Sequence, residues 1–196
     1  MPSGVGKVMH RLAVAPIGVV MVDDTPSPVG ARHDSTDLVV GLERTHGQTL
    51  FGFVRRLGIS DVAAADVVQE SLVRLFDVLV GGQQIVDAKA WLFHTAYRLA
   101  MDEHRRFARI HRLASRLESR SAVDNDPAEG FERRLVWSAV DRLPERQRAV
   151  VYLRFRADLS FDAVAATMGI TASAARSHST QALASLRRTL NAEAVL

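Results

Sequence analysis

Residues 160–188 contain two short amphipathic segments separated by a glycine, and this stretch constrains the fold more than any other. In the first segment, apolar side chains recur at i, i+3, i+4 and i+7, the spacing of one helix face: Phe161, Val164, Ala165 and Met168. Ser160 can accept a hydrogen bond from the first turn of that helix, and Gly169 can end it in the left-handed conformation. The pattern predicts a short helix followed by a tight turn.

The second segment predicts a longer helix, which Thr171 or Ser173 can cap. An apolar stripe is predicted on its inner side, at Ala175, Ala182, Leu183, Leu186 and Leu190. Polar side chains lie off that stripe, at Arg176, Ser177, Thr180, Gln181 and Arg187. Two helices joined by a glycine turn, with polar donors and acceptors outside, are typical of a DNA-binding helix-turn-helix. The alternative is a helical hairpin inside a bundle, with a polar face that is merely solvated.

The composition favours a mainly helical protein of one domain or two small ones. Of its 196 residues, 47% are hydrophobic and only 6% aromatic, while Ala, Leu and Arg are abundant. There is no cysteine, which excludes a disulfide framework and a thiolate metal site and suits a reducing cytoplasm.

The net charge of +3 is small, but the charges are unevenly distributed. Residues 98–120 carry seven Arg against three acidic residues, and residues 141–190 carry eight Arg against four. By contrast, residues 37–80 carry six acidic residues against four Arg. Two basic segments beside an acidic one indicate two nucleic-acid contacts and one protein contact. The alternative is that these arginines are simply solvated on helix surfaces.

Residues 1–36 differ from the rest of the chain. Their apolar run at 12–22 is broken by Pro16 and Gly18 and is too short to span a bilayer. It also lacks the cleavage site of a secretory signal peptide. We expect a disordered tail, or a start codon assigned upstream of the true one.

The remaining chain predicts an all-α fold of two small helical domains joined by a linker. Three helices are predicted in the first domain, at residues 38–57, 61–79 and 87–111. Ser60 or Asp61 can cap the second of these and Asp87 the third. Pro144 suits the first position of a helix in the second domain. The predicted boundaries are residues 37–112 for the first domain, 113–134 for the linker and 135–190 for the second domain, which contains the helix-turn-helix.

Three segments resemble parts of bacterial sigma factors. Residues 143–177 read LPERQRAVVYLRFRADLSFDAVAATMGITASAARS and resemble region 4. Residues 64–76, AADVVQESLVRLF, are similar to region 2.2, and residues 90–106, AWLFHTAYRLAMDEHRR, to regions 2.3 and 2.4. Their order and the short linker resemble the small extracytoplasmic-function group, and the resemblance covers about residues 38–190.

The resemblance implies a transcription initiation factor that binds core RNA polymerase, directs it to a promoter and opens the DNA. It implies three partners, namely core RNA polymerase, promoter DNA and an anti-sigma protein. No cofactor, metal site, membrane association or enzymatic activity is implied, and the expected location is the cytoplasm.

The same resemblance assigns roles to individual residues. The residues expected to contact the polymerase are Asp66, Gln69, Glu70 and Arg74. Those expected at the minus-ten element and its melted strand are Trp91, His94, Arg98, Asp102, Arg105 and Arg106. Those expected at the minus-thirty-five element are Arg154, Ser173, Arg176, Ser177, His178, Gln181 and Arg187.

Several positions depart from the family's usual residues. Arg98 stands where Asn is usual. In the recognition helix, Arg, Leu, Arg and Arg are common at the positions of His178, Ser179, Gln181 and Leu183. The smaller number of cations in the recognition helix predicts weaker binding to DNA phosphates, and the sequence does not determine which promoter is bound. The alternative function is a helix-turn-helix regulator that does not bind core polymerase. An all-helical enzyme has no supporting motif.

Overall fold

The computed structural model describes residues 19–20, 28–113 and 131–193. Helices dominate these residues: α1 (Pro28–Arg56), α2 (Asp61–Val80), α3 (Ala88–Leu113), α4 (Phe131–Asp141), α5 (Glu145–Val151), α6 (Phe161–Met168) and α7 (Ala172–Glu193). A π-helical turn, Tyr152–Arg156, continues α5. The predicted all-α class is confirmed. Within the described part of the chain, no helix has both the length and the apolar character needed to cross a bilayer.

A short strand pair lies outside this helical pattern. Strands β1 (Val19–Val20) and β2 (Gln84–Ile85) pair antiparallel, so that residues before α1 contact the loop that follows α2. Both β1 and the start of α1 fall within residues 1–36, for which the sequence predicts a disordered tail. The structure differs there because β1 finds a hydrogen-bonding partner and because Pro28 suits the first turn of a helix. The other residues of that segment lie outside those described.

Helices α1, α2 and α3 pack around an apolar core and form the first helical unit. The largest side chains of that core include Leu50, Phe53, Leu75, Leu92 and Phe93, all of which are fully buried. The predicted starts of α2 and α3 are confirmed, whereas α1 begins at Pro28 and not at the predicted residue 38. Ser60 Oγ accepts a hydrogen bond from the Ala63 amide at 3.4 Å, and Asp87 Oδ1 accepts one from the Ala90 amide at 2.8 Å.

Helices α4 to α7 form the second helical unit, and α6 and α7 form the predicted helix-turn-helix. Ser160 Oγ accepts from the Ala163 amide at 3.1 Å, and Thr171 Oγ1 accepts from the Ala174 amide at 3.1 Å. Gly169 ends α6 with φ 66°, in the left-handed region that glycine adopts without a steric cost. Pro144 serves as the N-cap residue of α5 rather than as its first helical residue.

The buried stripe of α7 differs from the prediction at one position. Ala175, Ala182 and Leu186 are buried as expected, but Leu183 is 38% exposed and Ser179 is buried instead. Positions 175, 179, 182 and 186 lie within a narrow sector of a helix with 3.6 residues per turn, whereas position 183 lies well to one side. Hydrophobicity alone therefore selected the wrong residue. The small Ser179 side chain also allows α7 to approach its neighbours closely.

The two helical units pack against each other through a buried arginine. Arg56 at the end of α1 is 8% exposed, and its Nε lies 3.0 Å from Asp141 Oδ1 at the end of α4. Its guanidinium carbon lies 5.3 Å from the ring centre of Trp137 and 5.2 Å from that of Tyr152. Burial raises the pKa of Asp141, although Arg56 and Arg148 oppose this shift by favouring the carboxylate. We call this contact the Arg56 cluster: Arg56, Trp137, Asp141, Arg148 and Tyr152.

Further hydrogen bonds connect the two units. The Tyr152 hydroxyl donates to the Thr49 carbonyl of α1 at 3.0 Å, and Lys89 Nζ of α3 donates to the Asp158 carbonyl at 3.1 Å. A Cβ on Gly52 would lie only 2.7 Å from the Tyr152 hydroxyl, so the glycine permits this close approach. The sequence predicts two domains joined by a linker, and no pattern in it predicts that they pack together.

Replacing Arg56 by Met tests the energetic weight of this cluster. The variant keeps most of the side-chain length but leaves the half-buried Asp141 without its strongest cation. The free energy of unfolding in urea should fall by about 3 kcal/mol, at the low end for breaking a buried ion pair because Asp141 is partly exposed. Arg188→Met, on the exposed face of α7, is the matched control and should change stability by less than about 0.5 kcal/mol.

A double variant separates charge burial from packing. Arg56→Met combined with Asp141→Leu should recover most of the lost stability, because no carboxylate is then buried without a partner. If Arg56→Met unfolds like Arg188→Met, the arginine does not hold the two units together.

Candidate nucleic-acid interface

The residues predicted to contact the polymerase share one surface of α2. Asp66, Gln69 and Glu70 are exposed, and Arg74 is half-buried beside them. Arg74 Nε donates to Glu70 Oε1 at 2.8 Å, an exposed pair one helical turn apart that contributes little to stability. The structure therefore brings this predicted set together and leaves its acidic groups accessible.

A groove of about 410 Å³ between α2 and α3 extends this acidic surface. Its charged lining consists of Asp66, Glu70, Asp102, Glu103 and Arg106. The sequence assigned Asp102 and Arg106 to DNA and did not single out Glu103. Helical spacing predicts that Glu103 shares this surface, because positions 99, 102, 103 and 106 lie on one helix face. We call this feature the acidic groove.

Ion pairs along α3 moderate its positive charge. Arg105 Nη2 lies 2.6 Å from Asp102 Oδ1, and Arg106 Nη1 lies 3.6 Å from Glu103 Oε2. The arginines of both pairs are well exposed, so the pairs add little stability but neutralise charge locally. The basic character predicted for this end of α3 is thus weaker than the arginine count suggests.

A different face of α3 carries Trp91, His94 and Arg98, and it faces the helix-turn-helix. Helix α3 packs against α6, and His94 lies beside the backbone of Ala166 on α6. Trp91 is only 4% exposed, and its indole Nε1 is buried without a hydrogen-bond partner among the described residues. Arg98 stays exposed at the edge. The structure thus divides the predicted minus-ten set. Trp91, His94 and Arg98 share this face, Asp102 and Arg106 line the acidic groove, and Arg105 is exposed beside Asp102.

Burial lowers the pKa of His94 below its usual value, and the nearby Arg98 guanidinium lowers it further. The Ala166 backbone beside the ring favours the protonated form and so opposes the lowering of the pKa, without cancelling it. The Nδ1 atom of His94 is also buried, with no hydrogen-bond partner among the described residues. Packing of the two helical units therefore favours a neutral imidazole.

The exposed side of α7 collects most of the residues predicted to read DNA. The exposed members are Ser173, Arg176, Ser177, Gln181 and Arg187. Gln181 is held in place, since its Oε1 accepts from Gln147 Nε2 at 3.3 Å and its Nε2 donates to Ser177 Oγ at 3.4 Å. His178 is half-buried, with Nδ1 inaccessible, so it lies at the margin of this surface.

Two arginines from different elements flank one aromatic ring beside this surface. The guanidinium carbon of Arg154 lies 5.5 Å from the ring centre of Phe161, and that of Arg176 lies 5.7 Å from it. Arg154 is also held by Asp158 Oδ1 at 3.2 Å and by the Leu159 carbonyl at 3.3 Å. The sequence predicted Phe161 only as a residue of the apolar face of α6.

Comparisons with known proteins identify the family of this chain. The family description "Sigma-70 region 2" matches residues 42–110, and "Sigma-70, region 4" matches residues 139–188. The chain is 31% identical over 166 residues to the ECF RNA polymerase sigma factor SigL of Mycobacterium tuberculosis, covering 82% of this chain and 93% of that protein. This chain belongs to the extracytoplasmic-function (ECF) sigma factors.

Solved structures of lower identity share the fold. The sigma factor RpoE of Bartonella quintana, solved with the anti-sigma factor NepR, superimposes with a TM-score of 0.64 at 19% identity, over 77% of this chain and 97% of that one. CnrH, solved with the cytosolic domain of CnrY, gives a TM-score of 0.54 at 24% identity, over 84% of this chain and 95% of that one.

The family membership confirms the central functional prediction. The protein is a sigma factor that binds RNA polymerase and directs transcription initiation at promoters. Region 4 coincides with the second helical unit and its helix-turn-helix, and region 2 coincides with the first. The acidic groove and the covered face of α3 both lie in region 2.

The lowered pKa of His94 predicts a pH-dependent stability of the sigma factor. In the packed protein the His94 pKa is lowered, so the ring binds a proton only at a lower pH than in the unfolded chain, where it does so near pH 6.5. Stability is therefore complete above about pH 6.5 and declines as the pH falls below it. His94→Gln should flatten that decline in urea unfolding measured between about pH 7.5 and pH 5.5.

Assigning the pH dependence to His94 requires a second variant, because burial and Lys89 also lower the pKa of His46. His46→Gln measured alongside separates the two contributions. An unchanged pH dependence in His94→Gln would show that this ring does not couple protonation to packing.

Proposed function

We propose that the first helical unit holds the polymerase and the minus-ten DNA, while the second reads the minus-thirty-five DNA. The predicted domain boundaries, residues 37–112 and 135–190, are adopted for these roles, with α1 extended back to Pro28. The observation that supports this division is the separation of charge. The acidic groove lies between α2 and α3, and the exposed polar surface lies on α7.

The acidic groove is the proposed polymerase contact. Asp66 and Glu70 line its α2 side, and Gln69 and Arg74 are neighbouring residues of α2. We add Asp102 and Glu103 from α3, because they line the same groove. Carboxylates repel DNA phosphates, so Asp102 suits a basic protein surface better than a DNA backbone. Arg105 and Arg106 are exposed, and we keep them as proposed DNA contacts at the edge of that surface.

The face of α3 with Trp91, His94 and Arg98 is the proposed melting surface. An aromatic ring beside cations suits an unpaired base, which can stack on it. Because α6 packs on this face, we infer that the two helical units separate before Trp91 reaches DNA. Polymerase binding at the acidic groove does not need that separation, since the groove is open in the packed form.

The exposed surface of α7 is the proposed minus-thirty-five contact. A recognition helix places residues near its N-terminus in the major groove. Ser173, Arg176, Ser177 and Gln181 occupy that end, with His178 at the margin. Arg154 and Arg187 are proposed to bind phosphates on either side.

We further propose that an anti-sigma protein regulates this sigma factor. We also propose that the sigma factor acts in the cytoplasm and has no catalytic activity of its own. The support for the inhibitor is that two proteins of the same fold, RpoE and CnrH, were solved with the anti-sigma factor NepR and with the cytosolic domain of CnrY. Their identities are low, so the likeness supports the fold and leaves the inhibitor's identity open.

Charge reversal in the acidic groove tests the polymerase contact. Asp66→Lys with Glu70→Lys places two cations against the basic partner surface that we propose, and like charges facing each other at an interface cost several kcal/mol. The double variant should no longer co-elute with core polymerase or support run-off transcription, while its circular dichroism stays helical. Asp37→Lys with Glu43→Lys, an equal charge change at exposed positions of α1, is the matched control.

The control variant should co-elute like the wild type. Normal co-elution of the Asp66→Lys, Glu70→Lys protein would place the polymerase contact elsewhere. Normal co-elution without transcription would retain sigma-factor binding but reassign these carboxylates to a later step.

A further inference from the structure

Phe161 occupies an unusual position at the entrance to the helix-turn-helix. It is the first residue of α6, directly after the Ser160 cap, and it is half-buried against the core. Its ring is therefore fixed by the helix start on one side and by packing on the other. The cations of Arg154 and Arg176 flank this ring at 5.5 and 5.7 Å from its centre.

The two arginines are held very differently. Arg154 also contacts Asp158 and the Leu159 carbonyl, and it lies 5.8 Å from the Phe155 ring centre. Among the residues that the structure describes, the Arg176 guanidinium contacts the Phe161 ring and has no ion pair. Loss of that ring should thus affect Arg176 more than Arg154.

An aromatic ring is well suited to orient an arginine that must bind DNA. A guanidinium over a ring face keeps its N–H donors at its edge, where they stay available for two parallel hydrogen bonds to guanine. A free arginine side chain has high rotamer entropy, part of which is lost on binding. Holding the side chain beforehand reduces that loss.

We propose that Phe161 is a positioning residue for DNA reading: its ring orients Arg176 toward a base edge in the major groove. The inference rests on the proposed role of α7 at the minus-thirty-five element and adds to it a specificity determinant on α6. Phe161 need not touch DNA itself, and its effect passes through Arg176.

The test uses holoenzyme assembled from core polymerase and the full chain. A duplex library randomised at the minus-thirty-five position first yields the preferred sequence, and dissociation constants are then measured on that sequence and on its single-base variants. Phe161→Leu should weaken binding to the preferred sequence about two- to fivefold, the effect of losing an exposed cation–π contact. Arg176→Ala should abolish the preference for one base pair, and Phe161→Leu should reduce the preference at that same base pair.

Coupling between the two residues is the decisive readout. In the Arg176→Ala background, Phe161→Leu should cause only the small loss that passes through Arg154 and no further change in base preference. A purely structural role of Phe161 would instead weaken binding equally in both backgrounds. Phe161→Tyr keeps a ring and should retain discrimination. Phe155→Leu removes a ring that contacts Arg154 but not Arg176, so it is the matched control and should leave that base pair's preference unchanged.

The outcomes distinguish this inference from the proposed function. If Arg176→Ala loses discrimination but Phe161→Leu does not, or if their effects add, the positioning role is refuted while promoter reading by α7 stands. If wild-type holoenzyme enriches no sequence at this position, the proposed minus-thirty-five role fails and this inference fails with it.

Discussion

The buried guanidinium of Arg56 is the interaction on which the packed form of this sigma factor depends. Removing a cation from water is costly, and the structure offsets that cost with a carboxylate at 3.0 Å and two aromatic ring faces within 5.3 Å. The carboxylate and both rings belong to the second helical unit, whereas Arg56 ends α1 in the first. The cluster therefore has its full set of partners only when the two units are together.

The packed form affects the proposed binding surfaces unequally. The acidic groove and the polar side of α7 stay exposed, while the face of α3 that carries Trp91 is covered by α6. We infer an order of events in which the polymerase contact precedes release of the melting surface. His94 lies beside Ala166 of α6, and its burial lowers its pKa, so this residue of the proposed melting surface is part of the closed arrangement.

Local features of this fold were predictable from the sequence, whereas the contacts between distant elements were not. Ser60, Asp87, Ser160, Gly169 and Thr171 were recognised because caps and turns depend on neighbouring residues and backbone geometry. The hydrophobicity of Leu183 predicts burial, but its angle around the helix leaves it exposed, and Ser179 is buried in the stripe.

In the candidate sites, too, features within one helix are predictable from the sequence, whereas contacts between distant elements are not. The α2 side of the acidic groove was predicted through family resemblance, and its Glu103 could have been found from helical spacing. The Arg56 cluster could not, because Arg56 and Asp141 are far apart in the chain and neither belongs to a periodic pattern. The role of Phe161 was hidden for the same reason, since an apolar residue on an amphipathic helix is normally explained by the core alone.

Separation of the two helical units on polymerase binding is the central claim, and a distance measurement tests it most directly. The chain contains no cysteine, so Glu43→Cys on α1 and Ala184→Cys on α7 give two unique sites for spin labels, both exposed. Pulsed electron paramagnetic resonance on the free protein should give one narrow distance distribution. Addition of core polymerase should shift it to clearly longer distances. An unchanged distribution in the holoenzyme would contradict the account, because the closed arrangement would then persist in the active complex.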